Sequence, residues 1–268
     1  MTTEYTGRGD PRRSMALLWG LEPASKRGPK RGLSVQRVVE AAIELADEEG
    51  LAALSMRRVA ERLDVGTMSL YTYVPAKGEL LDLMVDAILG EQLAEFRTRA
   101  ERDRAAGWRA ELETFARVGW DVQLRHRWVL GVAAVRSVLG PNEAAIFEEA
   151  LRIVDGIGLS GREMVAAVDF VGTYVRGAAR GAAESMDAPR ATGQTDTEWW
   201  LERAPLLEEI DAYRAERFPT VARLAGEGAF DVASEEHDYT LAFALEDFEF
   251  GLERVLDGIE AFVESRAP

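Results

Sequence analysis

The stretch LSMRRVAERLDVGTMSLYTYVPAKGELL, residues 54–81, restricts the chain more than any other. It spells helix, sharp turn, short helix, break and new helix. Ser55 is a good N-cap, because its hydroxyl can accept a bond from an otherwise orphan backbone N–H. Val59, Ala60 and Leu63 then share the inward face of a short helix. Asp64 stands where the chain must turn, and Asp tolerates the left-handed conformation better than most residues. Thr67 can cap the next helix, with Leu70 and Val74 four apart on its inner side. Pro75 ends that helix, since the residue before a proline is pushed out of the helical region.

Ala60, Asp64 and Leu70 thus fill the small, turn and apolar positions of a helix-turn-helix. A small residue at 60 lets two helices cross closely, and Leu70 fills the angle between them. Thr67, Met68, Ser69, Thr72 and Tyr73 are left facing outward on about two turns of helix, short enough to enter a DNA major groove. A plain helix–helix corner in an α-protein is the alternative reading of the same pattern.

Charge bears on that choice. The chain carries a formal net charge of −15, which is unexpected for a DNA binder, but the acid is unevenly spread. Residues 1–90 hold 12 Lys+Arg against 13 Asp+Glu, and residues 91–268 hold 20 against 34. Carboxylates farther from a phosphate than the Debye length, ~8–10 Å, are largely screened. Lys26, Arg27, Lys30, Arg31 and Arg37 cluster with no acid among residues 23–39. Residues 1–32 therefore read as a flexible basic arm, in which MTTEYTGRGDPRRS lacks periodicity and looks disordered. The apolar Met15–Trp19 piece either docks on the body or forms a short helical turn. SKRGPKRG, with Lys30 and Arg31, either lies along a minor groove or is a solubilising tail.

The rest reads as helix. Ser34 caps a first helix with Val38, Val39, Ala42, Ile43 and Ala46 on its buried stripe, and Gly50 stops it. Lys77-Gly78-Glu79 opens a long bridging helix carrying Leu80, Leu81, Met84 and Ile88 down one side. Beyond it the periodicity predicts helices over 108–125, Val129–Leu139, 142–156 and 160–184. A linker follows at Asp187–Asp196, then a helix over 199–224 interrupted at Pro219, and a last helix over 235–263. Met164 to Ala178 is apolar on more than one side, as expected of a helix buried on two sides. The class is all-α: a three-helix head at 33–78 and a larger helical body at 79–268.

The segment 33–89 resembles the N-terminal domain of the tetracycline-repressor (TetR) family of transcriptional regulators. The matching pieces are SVQRVVEAAIELADEEG, LSMRRVAERLDV and GTMSLYTYVPAKGELLD, with Leu70, Tyr71, Val74 and Lys77 in the family's most recognisable pattern. Asp64 departs from the usual glycine at the turn. The tail FEFGLERVLDGIEAFV resembles the last helix of the tetracycline-repressor-like C-terminal domain. The resemblance implies a ligand-responsive regulator, most naturally a repressor released from a palindromic double-stranded operator by a small, largely apolar effector. It implies phosphate contacts from Ser55, Tyr71, Tyr73 and Lys77, and base contacts from Arg57 and from Thr67, Met68 and Ser69. It implies a homodimer through residues 160–184 and 236–263, and an effector pocket including Leu93, Phe115, Trp120, Ala133, Val165, Phe170 and Tyr174. Asp169 and Arg136 join Tyr174 there as polar handles. A helical protein that sequesters small molecules without binding DNA is the alternative.

Catalytic chemistry is not legible. There is no Cys, no phosphate loop and no nucleophile elbow, and His126 and His237 have no partner at metal-ligand spacing. Glu235-Glu236-His237-Asp238 reads as an acid-rich helix start rather than a cation site. No cofactor and no metal are expected. No apolar run approaches the ~20 residues of a membrane span, no signal peptide is evident, and a cytoplasmic protein without membrane association is expected.

Overall fold

In a computed structural model, the structure describes residues 4–21, 33–101, 104–133, 136–210, 214–230 and 239–266. Eleven α-helices account for most of these residues, in keeping with the all-α expectation. Helices α2 (Val35–Glu49), α3 (Met56–Arg62) and α4 (Thr67–Leu70) form the head. Ser34 and Ser55 cap α2 and α3 by accepting the backbone N–H of Arg37 and Arg58. Thr67 does not cap α4: Gly66 holds that position without a side-chain bond, and Thr67 is the first helical residue. Val38, Ala42, Val59, Ala60, Leu70 and Val74 are essentially inaccessible and form the head's core. Asp64 makes the turn in the left-handed region, at φ 52°.

Helix α5 (Lys77–Ala100) is the bridge. Leu80, Leu81, Met84, Ile88 and Phe96 are buried along it, as are Glu79, Asp82, Asp86 and Gln92. Its buried carboxylates fasten other segments. Asp86 accepts the backbone N–H groups of Asn142 and Glu143 at 3.1 and 3.0 Å and the Asn142 amide at 3.0 Å, so it caps α7 (Pro141–Ile153) from outside. Gly140 is required beside it, since a Cβ there would sit 2.1 Å from Asp86 Oδ1. Burial pushes the carboxyls of Asp82 and Asp86 above the usual range, against the hydrogen bonds that hold them down.

Residues 4–18, expected as disordered arm, are structured. Glu4–Tyr5 (β1) pairs in parallel with Val132–Ala133 (β2), Glu4 opposite Val132. Asp10 caps α1 (Pro11–Leu18), so the Met15–Trp19 piece is helical, and it also docks on the body, with Leu17 and Leu18 buried and α1 against α5. Gly7 N–H bonds Asp82 at 2.9 Å, and the Trp19 indole N–H bonds the Leu139 carbonyl at 2.9 Å. The same pairing explains a second correction. Val129–Leu139 is not a helix: a 3-10 turn over Arg127–Gly131 runs into β2, and Leu139 has φ 57°. Its carbonyls are satisfied by the arm and by arginine rather than within a helix.

Helix α6 (Trp108–Arg125) packs on α5 and α7. Helix α8 (Gly161–Thr192) runs through the expected Asp187–Asp196 linker as far as Thr192, taking Pro189 into its final turn. A proline that near the end disrupts few intrahelical bonds. Pro219 starts α10 (Pro219–Gly226) rather than interrupting a longer helix, and the preceding helix α9 is Asp196–Glu209. Helix α11 spans Tyr239–Glu264; the acidic residues 235–238 and the basic residues 26–31 lie outside the described residues.

Contacts divide the chain into two compact units, one of residues 1–176 with 252–268, the other of residues 177–251. In the first, the end of α11 buries Leu252, Val255, Leu256 and Ile259, and Arg109 of α6 bonds Glu260 at 2.9 Å. In the second, Ala179, Ala182, Ala183 and Phe248 are buried while Trp199, Trp200, Leu206 and Phe250 are exposed.

Two outcomes follow from the bridge. Asp86→Ala leaves two buried backbone donors of α7 unsatisfied and should lower unfolding free energy by about 1–3 kcal/mol, measured by denaturant titration; Asp86→Asn, keeping an acceptor, should cost less. Asp64→Gly should raise unfolding free energy by up to about 1 kcal/mol, because it removes a β-carbon held in the left-handed region, while Asp64→Ala, which keeps that β-carbon and loses the short polar side chain, should not; equal changes in the two variants would contradict a conformational cause.

Candidate nucleic-acid interface and effector cleft

The reading face is built by burying one side of a very short helix. Leu70 and Val74 are fully buried, which turns Met68 and Tyr71 outward at 78% and 40% exposure. Thr67, Ser69 and Tyr73 are half-buried beside them and Thr72 is exposed. The turn is held by Ser69 N–H to Gly66 O at 2.8 Å and by Tyr73 and Val74 N–H to Leu70 O, both 2.8 Å. Arg57 projects from the first turn of α3 with its side chain 77% exposed and only a long 3.7 Å approach to Glu61. Its guanidinium is available for a planar, bidentate acceptor.

Two other head arginines are committed. Arg58 pairs with Glu49, and Arg62 pairs with Glu44 and Glu48, tying α3 to α2. The Glu48 and Glu44 carboxylates raise the Arg62 guanidinium still further above its ordinary value. Ser55 Oγ already caps α3, so any phosphate contact must come from its hydroxyl hydrogen. Lys77 is 2.9 Å from Glu4 of the arm, so an ion pair stands where the sequence suggested a free cation. Lys30 and Arg31 lie outside the described residues.

A cleft of about 730 Å3 lies among α5, α6, α7 and α8, and a second lobe of about 270 Å3 reaches the β2 segment. The larger volume is within the range of small-molecule sites. Leu89, Gln92, Gln123 and Arg176 line both lobes. Of the residues expected to line a pocket, Phe115 and Val165 face the larger lobe with Asp169, and Ala133 and Arg136 face the smaller. Leu93 and Trp120 are instead buried at 6% and 4% exposure and line neither lobe. Phe170 lines a different groove, against Ile259 and Phe262 of α11, and Tyr174 lines none of these. Helix α8 explains the split. Arg162, Val165, Asp169, Thr173 and Arg176 form one stripe; Glu163, Ala167 and Phe170 form another.

Sequence reasoning missed the groups that connect cleft and head. His126, at the end of α6, is 6% exposed. Its Nδ1 is 2.9 Å from Asp47 of α2, and its Nε2 is 3.1 Å from Glu91 of α5. Burial opposes protonation, but the two carboxylates outweigh it and hold the imidazole above its ordinary value. Arg176 donates to the carbonyls of Val129 and Leu130, each at 3.2 Å, and of Val132, capping the turn that follows His126. No sequence signal joins residues 79 positions apart, as Asp47 and His126 are. Among the described residues no cluster is suited to hold a metal ion, and no helix is long and apolar enough to cross a membrane.

Comparison with known proteins agrees with this geometry. Residues 38–84 match the model of bacterial regulatory proteins of the tetR family, and residues 102–263 match the tetracyclin repressor-like C-terminal domain. The transcriptional repressor DrrR1 of Streptomyces coeruleorubidus is 42% identical over 99% of this chain and 91% of its own length. An HTH-type transcriptional regulator of Saccharopolyspora erythraea is 33% identical over 81% of this chain and 83% of its own. Apo ActR of Streptomyces coelicolor superposes with a TM-score of 0.67 at 27% identity, over 89% of this chain and 100% of that one. ActR is also known in complex with actinorhodin; in that form it superposes with a TM-score of 0.62 at 26% identity, over 86% of this chain and 97% of ActR. The chain belongs to the tetR family of bacterial regulatory proteins and is a DNA-binding transcriptional regulator.

Proposed function

We propose that two copies of the chain hold their heads, residues 33–78, in successive major grooves of a palindromic operator, and that a small molecule in the α5–α8 cleft of the body, residues 79–268, releases them. The observation that carries the DNA-binding part is the exposed face of Met68 and Tyr71, held rigid by the buried Leu70 and Val74 behind it. Arg57 and the residues Thr67, Met68 and Ser69 read bases; Ser55, Tyr71 and Tyr73 position the head on phosphates. Lys77 joins them by exchanging Glu4 for a phosphate.

A two-fold dimer through residues 160–184 and 236–263 sets the heads ~34–36 Å apart, one helical turn of DNA. Residues 236–238 of that span lie outside the described residues. That ActR is known in complex with actinorhodin supports a bound effector. Release follows if the effector fits better when α5 and the turn after His126 are displaced. A swing from 1:99 to 99:1 requires a differential affinity of ~5.5 kcal/mol.

His126 makes the head-to-body contact dependent on pH. Its folded-state proton affinity is raised, so its stabilising share is complete below the ordinary histidine value, ~6.5, and fades as pH climbs through the higher folded value. His126→Gln should therefore cost most at pH 6 and least near pH 9, measured by urea unfolding. A gap between wild type and variant that stays constant across this range would contradict the charged latch. The facing groups are Asp47, Glu91 and Arg125, the last already paired with Glu91 and Glu95.

The DNA reading is tested by selecting bound sites from random duplexes and titrating them with variants. Arg57→Ala should weaken the selected site by about 1–3 kcal/mol and relax one base position. Tyr71→Phe should weaken selected and unselected DNA alike. If neither substitution changes binding, or if the selected sites contain no inverted repeat, the proposed docking is wrong.

A further inference from the structure

The arm lies across the start of the bridge, at the edge of the head. Glu4 is 2.9 Å from Lys77, the first residue of α5. Gly7 N–H donates to Asp82 at 2.9 Å, and Thr6 Oγ1 donates to the Arg136 carbonyl at 2.9 Å. The crossing is close. A β-carbon at Gly78 would meet Arg8 and Gly9 at 3.6 Å, and one at Gly9 would collide with Glu79 Oε1 and lie 2.9 Å from Ser14 Oγ.

Lys77 stands at a helix end where the backbone dipole is itself positive, so a cation there is favoured when an anion lies beside it. Glu4 is that anion here. Glu4 and Thr6 are alternate residues, and successive extended residues face opposite ways. Tyr5 between them is 47% exposed, while Thr6 is 2% exposed, so Glu4 and Thr6 share the inward side. Thr6 lines the smaller lobe of the cleft. One short strand therefore touches the cleft at Thr6 and the head's edge at Glu4.

We propose that the docked arm is a built-in competitor of DNA: Glu4 stands in for a backbone phosphate on Lys77, and the head engages a duplex fully only when Glu4 has left. This deepens, and rests on, the reading of Lys77 as a phosphate contact. A carboxylate that stays beside Lys77 lies within a Debye length of the incoming phosphate and repels it. Exchange of Glu4 for a phosphate also adds little salt dependence, because the released carboxylate gathers a counterion as the phosphate sheds one. Thr6 walls the smaller lobe, so a molecule that packs there against the docked arm holds Glu4 on Lys77 and opposes DNA. By linkage, DNA opposes that molecule to the same degree.

The test titrates full-length variants with a duplex selected from random sequence, over about 50–200 mM salt. Glu4→Gln keeps the shape of the side chain and removes its charge. It should tighten binding about threefold or more and steepen the slope of log K against log salt by about 0.9. Lys77→Gln should weaken binding, and Glu4→Gln added to it should change affinity by less than about twofold. Glu148→Gln, which removes the same charge from an exposed position on α7, should alter neither affinity nor slope. A second measurement fixes the arm. The chain has no Cys, and Tyr5 and Ala133 are register partners in adjacent strands, ~4.8 Å apart and within reach of a disulfide. In Tyr5→Cys with Ala133→Cys, oxidation should weaken binding about fivefold or more and reduction should restore it. Glu4→Gln in the oxidised form should recover most of the loss.

An affinity that Glu4→Gln leaves unchanged or lowers, a gain that Glu148→Gln matches, or an oxidised form that binds as tightly as the reduced one overturns the competition and leaves the helix-turn-helix reading standing. Lys77→Gln with wild-type affinity does the same, by removing the contested contact. Glu4→Gln decides alone if the disulfide does not form. If the wild-type protein retains no duplex at any salt, the DNA reading and the competition fall together.

Discussion

One imidazole joins the part of the molecule that touches DNA to the part that encloses a cleft. His126 sits at the end of α6, with the head's Asp47 on one nitrogen and Glu91 of the bridge on the other. Each carboxylate alone would be a modest partner. Together they stabilise a charge that burial disfavours, so the protonated form is the one that binds both. The head also rests on the apolar side of α5, with Leu80, Leu81 and Met84 buried, a contact that has no preferred direction. The imidazole adds two directional contacts to it.

Helix α5 is built for that duty. Its burial is not confined to a stripe: Asp82 receives the arm at Gly7 and Asp86 receives the start of α7, on positions that a surface helix would leave wet. Each carboxylate replaces water by backbone N–H groups, which lowers the cost of burial. A displacement of α5 is therefore felt at once by the arm, α7 and the head. The arm adds its own constraint, since Glu4 both pairs with the β2 strand and neutralises Lys77 at the head's edge.

The head was legible because its determinants are local. Ser34, Ser55, Asp64 and Pro75 act within a few residues, and the burial of Val59, Ala60 and Leu70 follows from spacing. Where long-range contacts decide, the sequence was silent or misleading. The run Val129–Leu139 has helical apolar content, but Val132 pairs with Glu4 and the carbonyls before it go to Arg176. Those partners are separated in sequence by more than a hundred residues in the first case and by 46 and 47 in the second. The Asp187–Asp196 segment looked like a linker from its Pro and Gly, yet α8 carries through Pro189 because only its last turn is affected. In the cleft, apolar residues were easy to list and their direction was not. Val165 and Phe170 both looked inward, and a rotation of 100° per residue sends them to opposite flanks of α8.

The acidity of the body then takes on a structural meaning. Most of its carboxylates near arginine are spent in cross-helix pairs, such as Arg109 to Asp257 and Glu260, or Arg152 to Glu111 and Glu149. Exposed pairs of this kind contribute little stability each. Their larger effect is to neutralise many of the body's arginines. A duplex approaching the body meets net negative charge, and one approaching the head meets an arginine with no short ion pair. Orientation on DNA is thus imposed by electrostatic exclusion before any base is read.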